Sequence, residues 1–464
     1  MSTGTLRQQV LRGGAYLSLR QALGTLINVG GALVLARLIG PGQYGLYAAA
    51  VGVAGYLQLV SVCGVDVYLV RHEAGPDESA VSHQAFTLLL VIGAGTLLVG
   101  CVTLPLVAAW THMPALRALG IVVTVGVPLQ LLTSVPLARL ERALDYRRVA
   151  WIELSAQIAF FVVALPLAFV GLGAWAPVAG WWTQQLGLAV LCFGASRYRP
   201  RLRWDPAAIR PMVSYGLGYS ASIWIWQLRR LVNPVIVGRA VGAEGVGIVA
   251  LGVQIVTHLS FVAIASWRLS TAALARVQTD VARITGAVSE GMRLQIVAVG
   301  LPLVCFAWLG PWLVALFFGP AWAPVMTVYP FLALGMLASA AFNLHSSALY
   351  VRRHNGDVSL FHTAHILLFA GSAWWLVPRL GIAGYGWAEA AAILSYAVVH
   401  EALVRRVAAP AYGAAAALWL ALGLALFWRP LGPLSLVGLA VVMVWPGTWR
   451  QLGAMWTTLR GVRA

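Results

Sequence analysis

Residues 83–110 read HQAFTLLLVIGAGTLLVGCVTLPLVAAW and contain no Asp, Glu, Lys or Arg. About 20 apolar residues in a helix are enough to span the hydrocarbon core of a bilayer, and similar runs recur along the whole chain. Of its 464 residues, 60% are hydrophobic and only 10% are charged, with a mean hydropathy of +0.83. Soluble domains carry roughly 25% charged residues, which is more than this composition supplies. The sequence therefore predicts an all-α integral membrane protein.

The apolar runs predict fourteen membrane-spanning helices. They lie at about 12–36, 44–69, 83–110, 117–138, 150–171, 174–196, 211–238, 244–267, 291–318, 323–351, 358–378, 383–403, 411–428 and 431–449. Between the last two spans, Arg429 and Pro430 leave room only for a tight turn. No loop is long enough to form a separate catalytic domain outside the membrane.

The charge of the chain is distributed unevenly between the two sides of the membrane. All 31 basic residues are Arg, against 14 acidic residues, which gives a net charge of +17. With the N-terminus in the cytoplasm, 23 arginines fall in inner segments and 5 in outer turns, the asymmetry expected of a polytopic protein. This asymmetry predicts that both termini are cytoplasmic. Because the arginines lie in short gaps between apolar runs, they do not predict a nucleic-acid partner.

One stretch of sequence occurs twice. Residues 36–48, ARLIGPGQYGLYA, align with residues 238–250, GRAVGAEGVGIVA, at an offset of 202, in the outer turns after the first and seventh spans. Six spans separate the copies, so the two halves run in the same direction, as in transporters built from parallel repeats. The pattern predicts two six-helix lobes, residues 1–200 and 201–405, followed by two extra helices and a basic tail at 406–464.

Three arginines lie deep inside predicted spans. Arg20 is about nine residues into span 1, and Arg229 and Arg230 are about 18 to 20 residues into span 7. A charge at bilayer depth costs at least about 2.5 kcal/mol on insertion scales, so such residues are candidates for function. The guanidinium fork matches phosphate oxygens two at a time. We therefore expect a diphosphate-binding site, with Gln227 and Asn233 as hydrogen-bonding neighbours.

A structural role stays open for each of these arginines. Its side chain could instead snorkel to the interface or pair with a helix carbonyl. Adjacent residues diverge by about 100° around a helix, so only one of Arg229 and Arg230 is expected to face a narrow cavity. Pro234 is expected to loosen the helix beside them.

Four further residues are candidates for gating or coupling. Arg37 and Arg239 are equivalent residues of the two repeat copies, Asp66 lies near the inner end of span 2, and Glu389 lies about six residues into span 12. For both carboxylates a structural role is the alternative, for Asp66 as the interfacial partner of Arg71.

Neither a metal site nor a cofactor is predicted. His362 and His365 share one helical face, but no Asp, Glu or Cys lies near them in sequence to complete a set of ligands. The glycines at 242, 245 and 247 resemble a phosphate loop only superficially, since no strand precedes them and no Lys follows.

Four stretches of the sequence carry a family resemblance. They are LRGGA at 11–15, LARLIGPGQYGLY at 35–47, GVDVYLVR at 64–71 and VGRAVG at 237–242. Together they resemble the oligosaccharide flippases of bacterial O-antigen and exopolysaccharide synthesis. These flippases belong to the multidrug/oligosaccharidyl-lipid/polysaccharide exporter superfamily. The resemblance extends through about residue 405.

The resemblance implies a transporter without catalytic activity, built from two six-helix bundles around a central cavity. Its substrate would be an undecaprenyl-diphosphate-linked oligosaccharide, moved across the bacterial inner membrane by alternating access. Membrane lipids, a polysaccharide polymerase and glycosyltransferases are the implied partners. In related lipid II flippases, arginines in spans 1 and 8 are thought to engage the diphosphate, and Arg20 matches the span 1 position in kind. Many relatives carry an Asp in span 7 where this chain reads QLRR at 227–230, which argues against cation-driven coupling there.

Two other functions remain as alternatives. A multidrug exporter of the same superfamily would need buried carboxylates to hold organic cations, and most of the buried charge predicted here is positive. A membrane-embedded polysaccharide polymerase or ligase would need a sizeable outer loop, and the predicted outer turns are short.

Overall fold

The computed structural model describes residues 3–71, 78–261, 274–276 and 280–444. Within these ranges every regular element is helical, and nine of the described helices are long and apolar enough to cross a membrane. The predicted all-α, multi-pass membrane fold is therefore confirmed. The count of fourteen spans stays a prediction, and the ends of the predicted spans 244–267 and 431–449, with the basic tail, lie outside the described residues.

The helices follow one another with short connections. The first ten are α1 (Thr3–Val62), α2 (Val65–Arg71), α3 (Glu78–Thr111), α4 (Pro114–Val125), α5 (Val127–Arg142), α6 (Tyr146–Phe169), α7 (Trp175–Ser196), α8 (Pro206–Gln227), α9 (Arg229–Val232) and α10 (Gly238–Leu259). The others are α11 (Val281–Phe317), α12 (Val325–Val351), α13 (Asn355–Leu380), α14 (Ile382–Ala392), α15 (Tyr396–Arg406), α16 (Gly413–Leu426), α17 (Trp428–Leu431) and α18 (Leu434–Val444). A π-helical turn at Asn233–Val237 joins α9 to α10, and short 3-10 turns lie at Pro320–Trp322 and Ile393–Ser395.

Over the described residues the chain divides into two compact units. The first consists of residues up to 250 together with 317–322, and the second consists of 251–316 and the residues from 323 onward. Helices α8 and α9 and the first half of α10 thus group with the first unit. The predicted lobe boundaries at 200 and 405 stay a prediction.

Glycine and aspartate explain several local features of the first unit. The helix α1 is kinked at Gly40, whose φ of 74° and ψ of 168° lie in a region that essentially only glycine adopts. Asp145 caps α6 by accepting a hydrogen bond from the Arg148 amide, and Asp205 caps α8 by accepting one from the Ala207 amide.

The core of the first unit is built by close helix packing. The helix α1 lies along α6 and α4, and α3 packs on α4 and α5. Small residues allow the close approach, since a Cβ at Gly31 would overlap the Phe161 ring and a Cβ at Gly180 would lie 2.6 Å from the Phe160 carbonyl oxygen.

In the second unit α12 is central. It contacts α13, α14, α15 and α16, and the Tyr329 hydroxyl on its buried face donates to the Leu303 carbonyl at 2.8 Å. The helices α16 and α18 pair with each other where the two extra C-terminal helices are predicted.

Many large apolar side chains point away from the protein core. Leu98, Phe169 and Leu394 are each at least 70% exposed. An apolar surface of this kind is expected where a helix contacts lipid instead of water.

Candidate functional site

The two adjacent arginines lie at an interruption of the helical run that forms predicted span 7. The helix α8 ends at Gln227, four residues form α9, and the backbone then widens into the π-helical turn at Asn233–Val237. Pro234 has no N–H to donate, so the regular ladder cannot continue through it. The loosening predicted at Pro234 is confirmed. Such π-helical turns often occur at functional sites because they displace side chains from the regular helical path.

Arg229 and Arg230 differ in their surroundings. The Arg229 guanidinium is half-buried and lies 5.1 Å from the centre of the Trp226 ring. Arg230 is exposed, and its guanidinium makes no hydrogen bond or ion pair with another described residue. It precedes the kink at Gly242 by 12 residues, or about 18 Å of helix. This arrangement puts an available guanidinium well inside the helical run.

The two predicted polar neighbours have different environments. The Asn233 side-chain amide donates to the Val246 carbonyl at 3.1 Å, so it holds α10 against the π-helical turn. Its Oδ1 atom is buried and has no hydrogen-bond donor among the described residues. Gln227 is half-buried at the end of α8. Their assignment to substrate binding stays a prediction.

Arg20 is part of a contact between α1 and α6. Its Nε atom lies 2.9 Å from Glu153 Oε2, and both side chains are only about a quarter exposed, at 27% and 26%. One turn further along, the Gln157 amide donates to the Gly24 carbonyl at 2.7 Å. In sequence Glu153 lies near Arg147 and Arg148, and the pairing with Arg20 was missed. The available signal was that opposite charges in two apolar spans can compensate each other.

The two copies of the repeated sequence have the same local geometry. Gly40 has φ 74° and ψ 168°, and the equivalent Gly242 has φ 80° and ψ −170°. Just beyond these kinks, a Cβ at Gly45 would overlap the Ala243 carbonyl oxygen, and a Cβ at the equivalent Gly247 would overlap the Pro41 carbonyl oxygen. The two chain segments therefore meet backbone to backbone through reciprocal contacts. We name residues 40–47 and 242–249 the paired crossing.

The equivalent arginines beside the paired crossing make equivalent contacts. Arg37 donates to the carbonyl of Phe317, the last residue of α11, at 3.2 Å. Arg239 donates to the carbonyl of Trp110 near the end of α3 at 2.6 Å, and its guanidinium lies 4.0 Å from that ring. A cation at the C-terminal end of a helix is favoured by the helix dipole. The structure shows these contacts; a gating role for either arginine stays a prediction.

The two carboxylates proposed for coupling lie in different units. Asp66 is in the first turn of α2, and its Oδ1 atom is buried without a hydrogen-bond donor. The alternative role, a pairing with Arg71, is not seen among the described contacts, in which Arg71 donates to the Tyr215 hydroxyl on α8 at 2.7 Å. Glu389 is 3% exposed on α14 of the second unit. A coupling role for these two carboxylates is not tested by the structure.

Buried histidines of the second unit serve a hydrogen-bonded network. The Tyr412 hydroxyl lies 2.7 Å from His345 Nε2 and 2.7 Å from His400 Nδ1, and His365 Nδ1 lies 2.9 Å from the Ser395 hydroxyl. Over the described ranges no group of three His, Cys, Asp or Glu is placed to hold a metal ion.

Comparison with known structures identifies the fold. The structure resembles the lipid II flippase MurJ in an inward closed conformation, with a TM-score of 0.71 and 11% identity over 95% of this chain and 99% of that one. It also resembles an inward-facing multidrug resistance transporter of the MATE family and MOP superfamily, with a TM-score of 0.62 and 16% identity over 85% of this chain and 98% of that one. At these identities the likeness concerns the fold alone.

Sequence relatives lie in polysaccharide pathways. The chain is 26% identical to the succinoglycan biosynthesis transport protein ExoT of Rhizobium meliloti, over 41% of this chain and 38% of that protein. It is 23% identical to the lipopolysaccharide biosynthesis protein WzxC of Escherichia coli, over 60% of this chain and 57% of that protein. The matches thus span between about two fifths and three fifths of these relatives.

The decisive comparison is with a family model. The model described as polysaccharide biosynthesis protein matches residues 34–327, which contain both repeat copies, the interrupted helix at Arg229 and Arg230, and α11. This match covers more than half of the chain. The chain therefore belongs to the polysaccharide biosynthesis protein family.

Proposed function

We propose that the protein is a flippase that moves an undecaprenyl-diphosphate-linked oligosaccharide across the bacterial inner membrane by alternating access. The membership of the polysaccharide biosynthesis family and the fold shared with a lipid II flippase support this assignment. Both termini are placed in the cytoplasm, and the product is used for lipopolysaccharide O-antigen or exopolysaccharide synthesis. A polysaccharide polymerase and glycosyltransferases act beside it in this pathway.

The arginine pair at the interrupted helix is the observation that carries the proposal. Arg230 is exposed, and no described residue compensates its charge. An unpaired guanidinium facing hydrocarbon would be costly, so an accessible one at this depth is best explained by a water-filled space. A diphosphate supplies the oxygens and the negative charge that two neighbouring guanidiniums require.

Alternating access is supported by the paired crossing. Its backbone contacts close the end of the first unit that the arginine distribution places on the outer side. In transporters built from parallel repeats, two helical bundles related by an axis along the membrane normal rock against each other. We propose that the crossing separates when the substrate is released outward, with Arg37 and Arg239 leaving the helix ends that they contact.

The two rival functions are less well supported. A multidrug exporter would hold organic cations with carboxylates, and Glu153 is unsuited to that role because it is paired with Arg20 at 2.9 Å. A polymerase or ligase needs an extended outer region, and the described connections at the predicted outer side are short, as between Phe169 and Trp175.

The test is transport by the purified full-length protein in vesicles. The probe is a fluorescent undecaprenyl-diphosphate disaccharide, and its arrival in the outer leaflet is measured by chemical quenching. We expect translocation by the wild type. We expect none by the variant Arg229→Gln/Arg230→Gln, which should still insert into the membrane.

A matched variant controls for the loss of charge. Arg352→Gln/Arg353→Gln removes two adjacent arginines at the end of α12 and should leave translocation unchanged. Normal translocation by the Arg229/Arg230 variant would contradict the proposed site. Transport of ethidium in place of the lipid by the wild type would favour the exporter, and lengthening of the glycan would favour the polymerase.

A further inference from the structure

A groove lies between the first two turns of α6 and the last two turns of α7 in the first unit. It has a volume of about 800 Å³ and is lined mainly by Arg147, Arg148, Trp151, Val190 and Leu191. Sites for small molecules typically enclose roughly 300 to 1,000 Å³. The groove is therefore large enough to hold part of a lipid.

A second, smaller pocket continues the groove towards the end of α7. It encloses about 470 Å³, shares Arg148 and Gly194 with the first, and adds Ser196 and Arg197. A Cβ at Gly194 would meet nothing within 4 Å, so the floor between the two pockets is open. The combined groove has a charged end and an apolar end.

Helical spacing explains this division. Arg147 and Arg148 precede Trp151 by four and three residues, so one turn of α6, about 5.4 Å, separates the charges from the ring. Trp151 is 62% exposed, and across the groove Val190 is 70% exposed. A phospholipid has a matching arrangement, since its phosphate is separated from the first carbons of its acyl chains by about the length of one helical turn.

The charges of the groove are only partly compensated. Asp145 caps α6 through the Arg148 amide at 3.2 Å, and its Oδ2 lies 3.1 Å from the Arg148 guanidinium. Arg147 and Arg197 are exposed, and their guanidiniums make no hydrogen bond or ion pair with the other described residues. Three guanidiniums against one carboxylate leave a net positive charge, with two forks available to a phosphate.

We propose that this groove binds an anionic phospholipid. The guanidiniums of Arg147 and Arg197 hold its phosphate, with Arg148 between them, and one acyl chain lies against Trp151 and Val190. Basic pockets between membrane helices are suited to anionic head groups. A free phosphate would leave the apolar end unused, which is why a lipid is the better occupant. The site is separate from the proposed transport site and does not depend on it.

The test measures lipid binding by the purified full-length protein. Native mass spectrometry is used to titrate phosphatidylglycerol into detergent-solubilised protein, with phosphatidylcholine as the zwitterionic comparison. We expect phosphatidylglycerol to bind preferentially, and its affinity to fall about 30-fold in Arg147→Gln/Arg197→Gln, because each of the two basic residues near a lipid surface contributes roughly 1 kcal/mol. Arg148 is left in place so that its pairing with Asp145 is kept.

Arg199→Gln/Arg201→Gln is the matched control. Both of its residues are exposed just after α7 and are predicted to face the same side, so the change in charge is equal. An equal loss of phosphatidylglycerol binding in this control, or equal binding of phosphatidylcholine by the wild type, would overturn the proposal. Displacement of the lipid by glycerol phosphate would show that the acyl chain contributes nothing and would also overturn it. Tighter binding of a polyprenyl diphosphate at the same arginines would assign the groove to the transported lipid instead.

Discussion

Within the first unit, the two helical runs that carry the repeated sequence are alike at one end and different in the middle. At the end that is predicted to face outward, Gly40 and Gly242 have nearly the same backbone angles. Arg37 and Arg239 beside them each donate to a carbonyl at the end of another helix. The repeat has kept the residues that shape the crossing.

Deeper in the membrane the correspondence is lost. At the offset of 202, Arg230 aligns with Asn28, and Arg20 aligns with Ser222. Arg20 is paired with Glu153 at 2.9 Å, whereas Arg230 has no described partner. A compensated charge fixes one helix to another, while an uncompensated charge is available to a ligand. The difference supports the proposal that Arg20 serves helix packing and that Arg230 serves substrate binding.

The largest effect on translocation is expected at Arg230, whose charge the transported ligand would compensate. Arg230→Glu should reduce translocation by about 100-fold or more, because it replaces a charge-assisted contact worth roughly 1.5 to 3 kcal/mol by repulsion. Arg230→Lys keeps the charge but not the planar fork and should lose about tenfold. Vesicle translocation assays at equal insertion measure both. Equal activity of the Glu and Lys variants would contradict a role for the charge of Arg230.

The next effect concerns the paired charge. Arg20→Leu leaves Glu153 without its partner and should lower the free energy of unfolding by about 1 to 2 kcal/mol, less than for a fully buried pair. The exchanged variant Arg20→Glu/Glu153→Arg should recover the stability, as thermal unfolding of purified protein would show. If the exchanged variant is no more stable than Arg20→Leu, the packing role of the Arg20–Glu153 pair is refuted. A stable swap that does not translocate would assign Arg20 to the substrate as well.

Substitutions at the paired crossing test whether the two copies are equivalent. Gly45→Ala and Gly247→Ala each place a Cβ on a backbone carbonyl and should lower stability by about 1 kcal/mol or more. Gly55→Ala is the control, since its Cβ meets nothing within 4 Å and Ala is favoured over Gly in a helix. Thermal unfolding compares the three. Unequal losses at Gly45 and Gly247 would show that the crossing is not symmetric.

The smallest effect is expected at the helix-end contacts. Arg37→Gln and Arg239→Gln each remove at least one hydrogen bond to a carbonyl and should cost about 0.5 to 1.5 kcal/mol. Arg239 should cost more than Arg37, because its guanidinium also lies 4.0 Å from the Trp110 ring. Thermal unfolding of the two variants gives the order, and a larger cost at Arg37 would contradict it.

Much of the fold could be predicted because it depends on local properties. Apolar runs, arginine-rich gaps and the repeated glycines each act over a few residues, so the membrane fold and the loosened helix at Pro234 could be read directly. Pairings between residues that are distant in the sequence could not be predicted. Arg20 with Glu153, and Arg71 with Tyr215, join positions 133 and 144 residues apart, and nothing in the spacing of either partner points to the other.

The helical membrane fold and the unusual depth of some arginines follow from the amino-acid sequence, because the cost of burying a charge in lipid is a property of each residue. Which of those arginines is compensated depends on the packing of the helices. It brought Glu153 to Arg20 and left Arg230 exposed. Compensation of a charge on one helix depends on the distance to the oppositely charged residue on another helix. That distance is set by packing, as at Gly24 and Gly31, and not by the local sequence around either charge.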